Sequence, residues 1–159
     1  MNTSSLRFHN QNNPWFRGNN PFPAYRITIT ERETKWRDEA MHRLQELVRL
    51  EQGWDGYAAI PVSLATATFT LKMLEVMCGD DTDTPQMVPG PNGEIQLEWH
   101  TRTGDVEILV RAPNDVFAWR HVEGIEDDGE EMQLSHDFRP AAEWIKDVTE
   151  PEFAYAAAA

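Results

Sequence analysis

Two glutamates and two histidines in the second half of the chain have side chains that could perform chemistry. Glu98 and His100 alternate along one predicted strand, and Glu107 and His121 fall on the strands that follow. Paired carboxylates can act as a general acid and base, and carboxylates with imidazoles can bind a metal ion. Whether the two histidines share a face depends on strand register. With 27 acidic residues in the chain, some fall together by chance. We therefore expect ordinary polar-face side chains, with a small enzyme on this face as the alternative.

The sequence lacks the motifs of common catalytic and metal centres. Its five histidines form neither H-x-x-x-H nor H-E-x-x-H, and no second cysteine is available for a zinc site. No G-x-S-x-G, G-x-G-x-x-G or phosphate-binding loop occurs. Cys78 lies near the end of a predicted helix, where we expect a small buried apolar side chain and not a nucleophile. These absences favour a protein that is not an enzyme and uses neither metal nor cofactor.

Cysteine content and hydropathy indicate the compartment. One cysteine cannot form an intramolecular disulfide, which fits a reducing cytoplasm. The first residues lack the apolar core of a signal peptide, and no apolar run approaches the roughly 18 to 20 residues that span a bilayer. We therefore expect a cytoplasmic protein that does not bind membranes.

Charge is distributed unevenly along the 159 residues. The first 30 residues contain three arginines and no acid, so the remainder holds all 27 acidic residues, only 11 of the 14 basic residues, and a formal charge of −16. Nucleic-acid affinity depends on neutralising phosphates with lysine and arginine, so this body has the wrong sign for direct nucleic-acid binding. A basic protein is the natural partner, because complementary charge speeds encounter. Acidity that serves only solubility is the competing interpretation.

Residues 1–26 are predicted to form a flexible arm rich in asparagine and proline, followed by one domain over residues 27–150 and a frayed tail at residues 151–159. The arm shows neither helical nor strand periodicity. It nevertheless carries four large apolar side chains, which are uncommon in inert linkers: Trp15, Phe16, Phe22 and Tyr25. Docking onto the acidic body and capture of a partner are equally consistent with this composition.

Three helices are predicted within the domain. The first runs from about Glu31 to Glu51 with Thr30 as its N-cap, and Gly53 stops it. Its apolar stripe is Trp36, Ala40, Leu44, Leu47 and Val48. The second runs from about Leu64 to Met77 behind the N-cap Ser63, with the stripe Ala65, Thr66, Phe69, Met73, Val76 and Met77. The third is capped by Asp137, with Pro140 in its first turn and the apolar face Ala141, Trp144, Ile145 and Val148.

Between the second and third helices, short alternating segments separated by turns predict strands. The segments are Gln86–Val88, Ile95–His100, Val106–Val110, Val116–Val122 and Met132–Leu134. Because the turns are too short for parallel crossovers, the strands form an antiparallel meander. The predicted class is α+β, with two N-terminal helices and one C-terminal helix packed on a four- or five-stranded sheet.

The segment Gly53-Trp54-Asp55-Gly56-Tyr57 predicts a tight turn between the first two helices. Trp54 and Tyr57 are expected to wedge between elements. Asp55 could contact an arginine of a partner, although capping of neighbouring backbone amides is the favoured role. Trp54 and Trp99 are expected to belong to the core and not to a recognition surface.

This turn, the Pro61-Val62-Ser63 segment that opens a helix, and the later Pro89, Gly93 and Ile95–Trp99 form a recognisable combination. It resembles a group of small, poorly characterised bacterial and phage-associated proteins that share a Gly-Trp-Asp-Gly-Tyr turn and a Leu-Glu-Trp strand. The resemblance covers roughly residues 40–122 and implies no site residues. It favours a role in toxin neutralisation or phage counter-defence.

The leading functional prediction is therefore a non-catalytic protein that binds and neutralises a basic protein partner. The predicted partner-binding residues lie in two acidic loops, in the aromatic arm and at Asp55. The loop residues are Asp80, Asp81 and Asp83, and Glu126, Asp127, Asp128, Glu130 and Glu131. The biological form would be an antitoxin, an immunity protein, or a phage inhibitor such as an anti-CRISPR that mimics DNA. A structural subunit of a larger assembly, including a homo-oligomer, is a further alternative.

Overall fold

A computed structural model describes residue 34, residues 36–125 and residues 129–149 of the chain. These described residues form three helices and five strands. They are α1 (Arg37–Val48), α2 (Leu64–Met77), β1 (Gln86–Pro89), β2 (Ile95–His100), β3 (Gly104–Ala112), β4 (Asp115–Val122), β5 (Glu130–Leu134) and α3 (Arg139–Thr149). The α+β class with two N-terminal helices and one C-terminal helix is confirmed.

The sheet is an antiparallel meander with the strand order β1-β2-β3-β4-β5. The described helices pack on one face of it, with α2 and α3 over the central strands and α1 beside β1. Residues on that face are buried in strict alternation along the strands, as the period-2 pattern predicted. They include Ile95, Leu97, Trp99, Val106, Ile108, Val110, Val116 and Ala118.

Helix α1 begins later than predicted, at Arg37 instead of Glu31. Trp36 occupies the N-cap position with no side-chain capping bond. Its indole is 2% exposed, and Nε1 donates to the carbonyl oxygen of Gly79 at 3.0 Å. The start of α1 therefore coincides with a hydrogen bond between Trp36 and Gly79, which are 43 residues apart in sequence. The predicted N-cap, Thr30, lies outside the described residues. The helix ends at Val48, and Gly53 adopts φ 78° in the turn that follows.

Helix α2 has the predicted bounds, and Ser63 is its N-cap, because Oγ accepts from the N–H of Thr66 at 3.0 Å. The predicted stripe is wrong at Ala65 and Val76, which are exposed. Thr66, Met73 and Met77 are buried as predicted, and Ala67, Thr70 and Leu74 are buried in addition. The reason is that α2 contacts α1, α3 and the sheet at once. Its buried arc is therefore wider than the stripe of a surface helix, and its centre is shifted.

Helix α3 follows Asp137 as predicted. Oδ1 of Asp137 accepts the backbone N–H of Arg139 at 3.1 Å, and Pro140 lies in the first turn. The four predicted apolar residues, Ala141, Trp144, Ile145 and Val148, are all buried. No helix in the described part of the chain is long and apolar enough to cross a membrane.

The Gly-Trp-Asp-Gly-Tyr segment forms the expected tight turn, and Asp55 holds it. Oδ1 of Asp55 accepts the backbone N–H groups of Tyr57 at 2.8 Å and Ala59 at 3.2 Å. Trp54 is half-buried, and its Nε1 donates to the Ile60 carbonyl at 3.3 Å. Tyr57 is 89% exposed, so its predicted wedging role is wrong. With its amides capped by Asp55, the turn holds its shape without the Tyr57 ring.

Candidate partner-binding surface

The sheet face opposite the described helices carries polar and acidic side chains, and we call it the open face. Strand register fixes which of them are neighbours. Glu98 lies opposite Glu107, Glu107 opposite Trp119, and Trp119 opposite Glu131. One step towards the sheet end, His100 lies opposite Asp105, which lies opposite His121. We name Glu98, Asp105, Glu107 and Glu131 the acidic sheet surface.

Glu98 and Glu107 are like charges placed directly across from each other in neighbouring strands. Such a pair destabilises a sheet unless something compensates it. Glu107 accepts a hydrogen bond from Nε2 of Gln96 at 2.9 Å, and Glu98 contacts His100. Among the described residues, neither glutamate forms an ion pair with an arginine or lysine. The strand pairing thus maintains a local excess of negative charge.

His100 bridges two of these carboxylates. Its Nδ1 lies 2.9 Å from Oδ1 of Asp105, and its Nε2 lies 3.3 Å from Oε2 of Glu98. Hydrogen bonds to Asp105 and then to Glu98 raise the pKa of His100 above its ordinary value. Protonation of this imidazole adds positive charge beside Glu98 and Asp105, at one end of the acidic sheet surface. His100 and His121 do share the open face, a point that alternation alone left undecided.

The raised pKa of His100 predicts a pH-dependent contribution to stability. The contribution is fully present below the ordinary pKa of about 6.5 and is lost as pH rises through the folded-state pKa. We expect His100→Gln to destabilise the protein most near pH 5.5 and progressively less towards about pH 8. Urea unfolding across this range measures the difference. His136→Gln, at an exposed position between β5 and α3, is the control. An identical pH dependence in both variants would contradict the assignment.

The two predicted acidic loops lie at opposite edges of the sheet but at the same end of it. Asp80, Asp81 and Asp83 precede β1, whose first residue pairs with Glu98 near the end of β2. Glu130 and Glu131 begin β5, beside the end of β4. Four strand spacings separate the edges, about 19 Å. Glu98, Asp105 and Glu107 therefore lie between the described acids of the two predicted loops.

The described acids of the two predicted loops are not equivalent, and the assignment of Glu130 and Glu131 to a loop is wrong, because both belong to β5. Asp81 and Asp83 are exposed, and the backbone carbonyl of Asp83 accepts Nε1 of Trp99 at 2.9 Å, which ties this loop to β2. Glu130 is ion-paired with Arg120 at 3.1 Å, and Arg120 also contacts Asp147. Glu131 is exposed and has no such pair among the described residues. Glu131 is therefore the stronger candidate of the two for contact with a partner.

Several predicted site residues lie outside the described part of the chain. They are Trp15, Phe16, Phe22 and Tyr25 of the arm and Glu126, Asp127 and Asp128 of the second loop. Asp55 is described and exposed, and at least one of its oxygens serves the turn. Asp105 was missed as a site residue because the predicted strand began at Val106, whereas Asp105 is the second residue of β3. The signal in the sequence is the short turn after His100, because pairing the strands outward from that turn places Asp105 opposite His100.

The polar sheet face and Cys78 carry the side chains that the sequence offers for metal binding or catalysis. In the described ranges, no group of three histidine, cysteine, aspartate or glutamate side chains has a geometry that could hold a metal ion. His121 stacks on Trp119, with ring centroids 6.3 Å apart. Burial raises the pKa of the Cys78 thiol to about 12. The thiolate needed for nucleophilic attack is therefore scarce at neutral pH.

A second surface feature is an apolar groove between α1 and α2, with a volume of about 220 Å³. Leu44, Val48, Leu64, Ala67 and Leu71 are among the residues that line it. It lies in the helical layer, and its lining includes one charged side chain, Arg49. Its chemistry is distinct from that of the acidic sheet surface.

Comparison with family models, with curated proteins and with solved structures finds no match to this chain. The geometry and charge of the protein's own surfaces are therefore the basis for a functional proposal.

Proposed function

We propose that this protein is a non-catalytic cytoplasmic binding protein that neutralises a basic protein partner through the acidic sheet surface and the acidic loops beside it. The observation that carries the proposal is the direct opposition of Glu98 and Glu107 without an arginine or lysine partner among the described residues. A cationic side chain from a partner would relieve this repulsion on binding. The whole chain is negatively charged as well, with a net charge of −13, so it attracts a basic partner.

The open face also offers the aromatic groups that favour arginine over lysine. Trp119 and Phe117 point to the same face as Glu107, since they alternate with the buried Val116 and Ala118. Guanidinium groups stack on aromatic rings and bind carboxylates in a bidentate manner. Arg111 already shows such stacking, with its guanidinium carbon 5.9 Å from the centroid of the Phe117 ring. An arginine-rich partner surface fits this combination.

A nucleic-acid-binding protein is the partner class that this surface fits best. Proteins of this class present lysine and arginine to phosphates. Acids spread over about 19 Å from one sheet edge to the other can occupy such a basic groove in place of phosphates. The biological role consistent with this is an antitoxin, an immunity protein or a phage inhibitor such as an anti-CRISPR. Direct binding to nucleic acids or anionic membranes is disfavoured by the same charge.

Affinity capture with the double variant Glu98→Gln/Glu107→Gln tests the proposal. Purified protein is immobilised and exposed to extract of its native host at low salt, and bound proteins are identified by mass spectrometry. We expect the unmodified protein to retain a stoichiometric basic protein that is released at high salt. The double variant should retain much less of it.

The matched control is Asp38→Asn/Glu51→Gln, which removes the same charge from exposed positions in and after α1. This control should capture as much as the unmodified protein. Capture of a partner that is acidic, or that all three proteins retain equally at high salt, would contradict the proposal.

A further inference from the structure

The two edge strands of the sheet differ in the availability of their backbone groups. Residues of an antiparallel strand alternately direct their N–H and C=O groups towards one neighbour and then towards the other. The bonds from Glu123 N–H to the Thr103 carbonyl and from Thr101 N–H to the Gly104 carbonyl, both 3.0 Å, fix this alternation in the β2-β3-β4 ladder. Because the register is continuous from β1 to β5, the same alternation assigns the direction of the backbone groups in the other strands.

The β1 edge is closed. By the alternation, Met87 and Pro89 direct their backbone groups away from the sheet. The Met87 carbonyl accepts two hydrogen bonds from Arg43 of α1, from Nε and Nη2, each at 3.2 Å. Pro89 has no N–H to offer. Proline and a covering helix are devices that prevent an edge from pairing with another strand.

No described residue covers the β5 edge. Glu130, Met132 and Leu134 direct their backbone groups towards β4, so Glu131 and Gln133 direct theirs outward. No backbone bond of Glu131 or Gln133 to a described residue outside the ladder is present. Both residues are exposed, so their outward N–H and C=O groups are the backbone groups of β5 without a partner among the described residues.

We propose that β5 accepts an extended basic segment of the partner as a sixth strand of the sheet. This inference rests on the proposed function and specifies how the partner binds. A partner residue paired with Glu131 has its side chain on the open face, next to the Glu131 carboxylate and two strand spacings from Trp119. Arginine or lysine there forms a cross-strand ion pair, and alternate residues point towards the helical layer, level with Met132 and Leu134. Backbone bonds supply affinity, and the alternating side chains supply specificity.

Charge selects this occupant over a second copy of the chain. A self-paired edge would bring together two chains that each have a net charge of −13 and carry Glu130 and Glu131 on the joining strand. Charged edge strands oppose self-association. A basic extended segment is complementary to the same edge.

The test uses a short synthetic peptide in which arginine alternates with valine, and the same peptide N-methylated at each arginine. The second peptide keeps the charge but cannot donate backbone hydrogen bonds from the residues that face Glu131. We expect N-methylation to weaken binding to the unmodified protein about five- to tenfold, measured by calorimetry at low salt.

Gln133→Pro supplies the matching change on the protein. It removes one outward N–H and leaves the ladder to β4 intact, while Gln133→Ala controls for loss of the Gln133 bond to Asp115. We expect Gln133→Pro to bind the plain peptide about five- to tenfold more weakly than Gln133→Ala. Equal urea stability of the two variants confirms that the sheet is unaffected.

The outcomes separate this inference from the proposed function. Equal, salt-sensitive binding of both peptides by all variants would overturn the sixth-strand inference and leave the proposed function standing. Absence of salt-sensitive binding by either peptide would count against both. A dimer detected by light scattering that Gln133→Pro dissociates would identify a second copy as the occupant and overturn the inference.

Discussion

Replacement of Trp99 by alanine is expected to lower the free energy of unfolding by about 3–5 kcal/mol. The Trp99 side chain is 3% exposed, within the core between the sheet and the helices. Its removal leaves a large cavity and also frees the Asp83 carbonyl that accepts its Nε1. The cavity and the lost hydrogen bond both lower the stability of this variant, because the indole fills the core and also holds the first acidic loop at Asp83.

Urea unfolding of Trp99→Ala beside Trp99→Phe measures this effect. Phenylalanine keeps most of the buried ring but cannot bond to Asp83, so we expect its cost to be smaller, about 1–2 kcal/mol. A cost below about 1 kcal/mol for Trp99→Ala would contradict the assignment of Trp99 to the core. The sequence interpretation of Trp99 as a core residue is confirmed by its burial. Trp54, interpreted in the same way, is only half-buried.

Neutralising Glu98 and Glu107 together is expected to slow association with the captured basic partner at least about tenfold at low salt. Steering by complementary charge accelerates encounter, and these carboxylates are adjacent like charges on the open face. The same change should raise the free energy of unfolding by a few tenths to about 1 kcal/mol, because the cross-strand repulsion is removed. Weaker binding together with greater stability distinguishes a functional surface from a structural one.

Stopped-flow association at about 20 mM and about 200 mM salt provides the measurement. The difference in association rate between the unmodified protein and Glu98→Gln/Glu107→Gln should become smaller as the salt concentration rises, because salt screens the electrostatic steering of both proteins. Asp38→Asn/Glu51→Gln has the same net charge as the variant and should associate nearly as fast as the unmodified protein. Equal slowing by the two double variants would mean that overall charge, and not this surface, determines the rate.

The elements predicted most accurately from sequence were those with a strong local signal. Helix α2 has a capping serine directly before it, and β2 alternates cleanly after a proline- and glycine-rich turn, so both sets of bounds agree with the structure. The start of α1 was missed because it coincides with a contact between Trp36 and Gly79, which no local pattern contains. The buried face of α2 was predicted only in part, because α1, α3 and the sheet all contact that helix.

The candidate surface was predictable only in part. Alternation placed Glu98 and His100 on a polar face, but which residue lies opposite Glu98 depends on the position of the turn between β2 and β3. The acidic loops were chosen for their composition. The structure adds that their described residues lie at one end of the sheet, with Glu98, Asp105 and Glu107 between them. Strand order and register bring these acids together across separate strands.

The most direct test of the central claim is carboxylate labelling of the protein, free and bound to its captured partner. Carbodiimide-coupled labelling followed by mass spectrometry reports the accessibility of each carboxylate. We predict that the partner protects Glu131, Glu107, Asp105 and Asp81, and leaves Asp38, Glu51 and Glu143 as reactive as in the free protein. Protection confined to the acids of the helical layer, with the acidic sheet surface still labelled, would contradict the account.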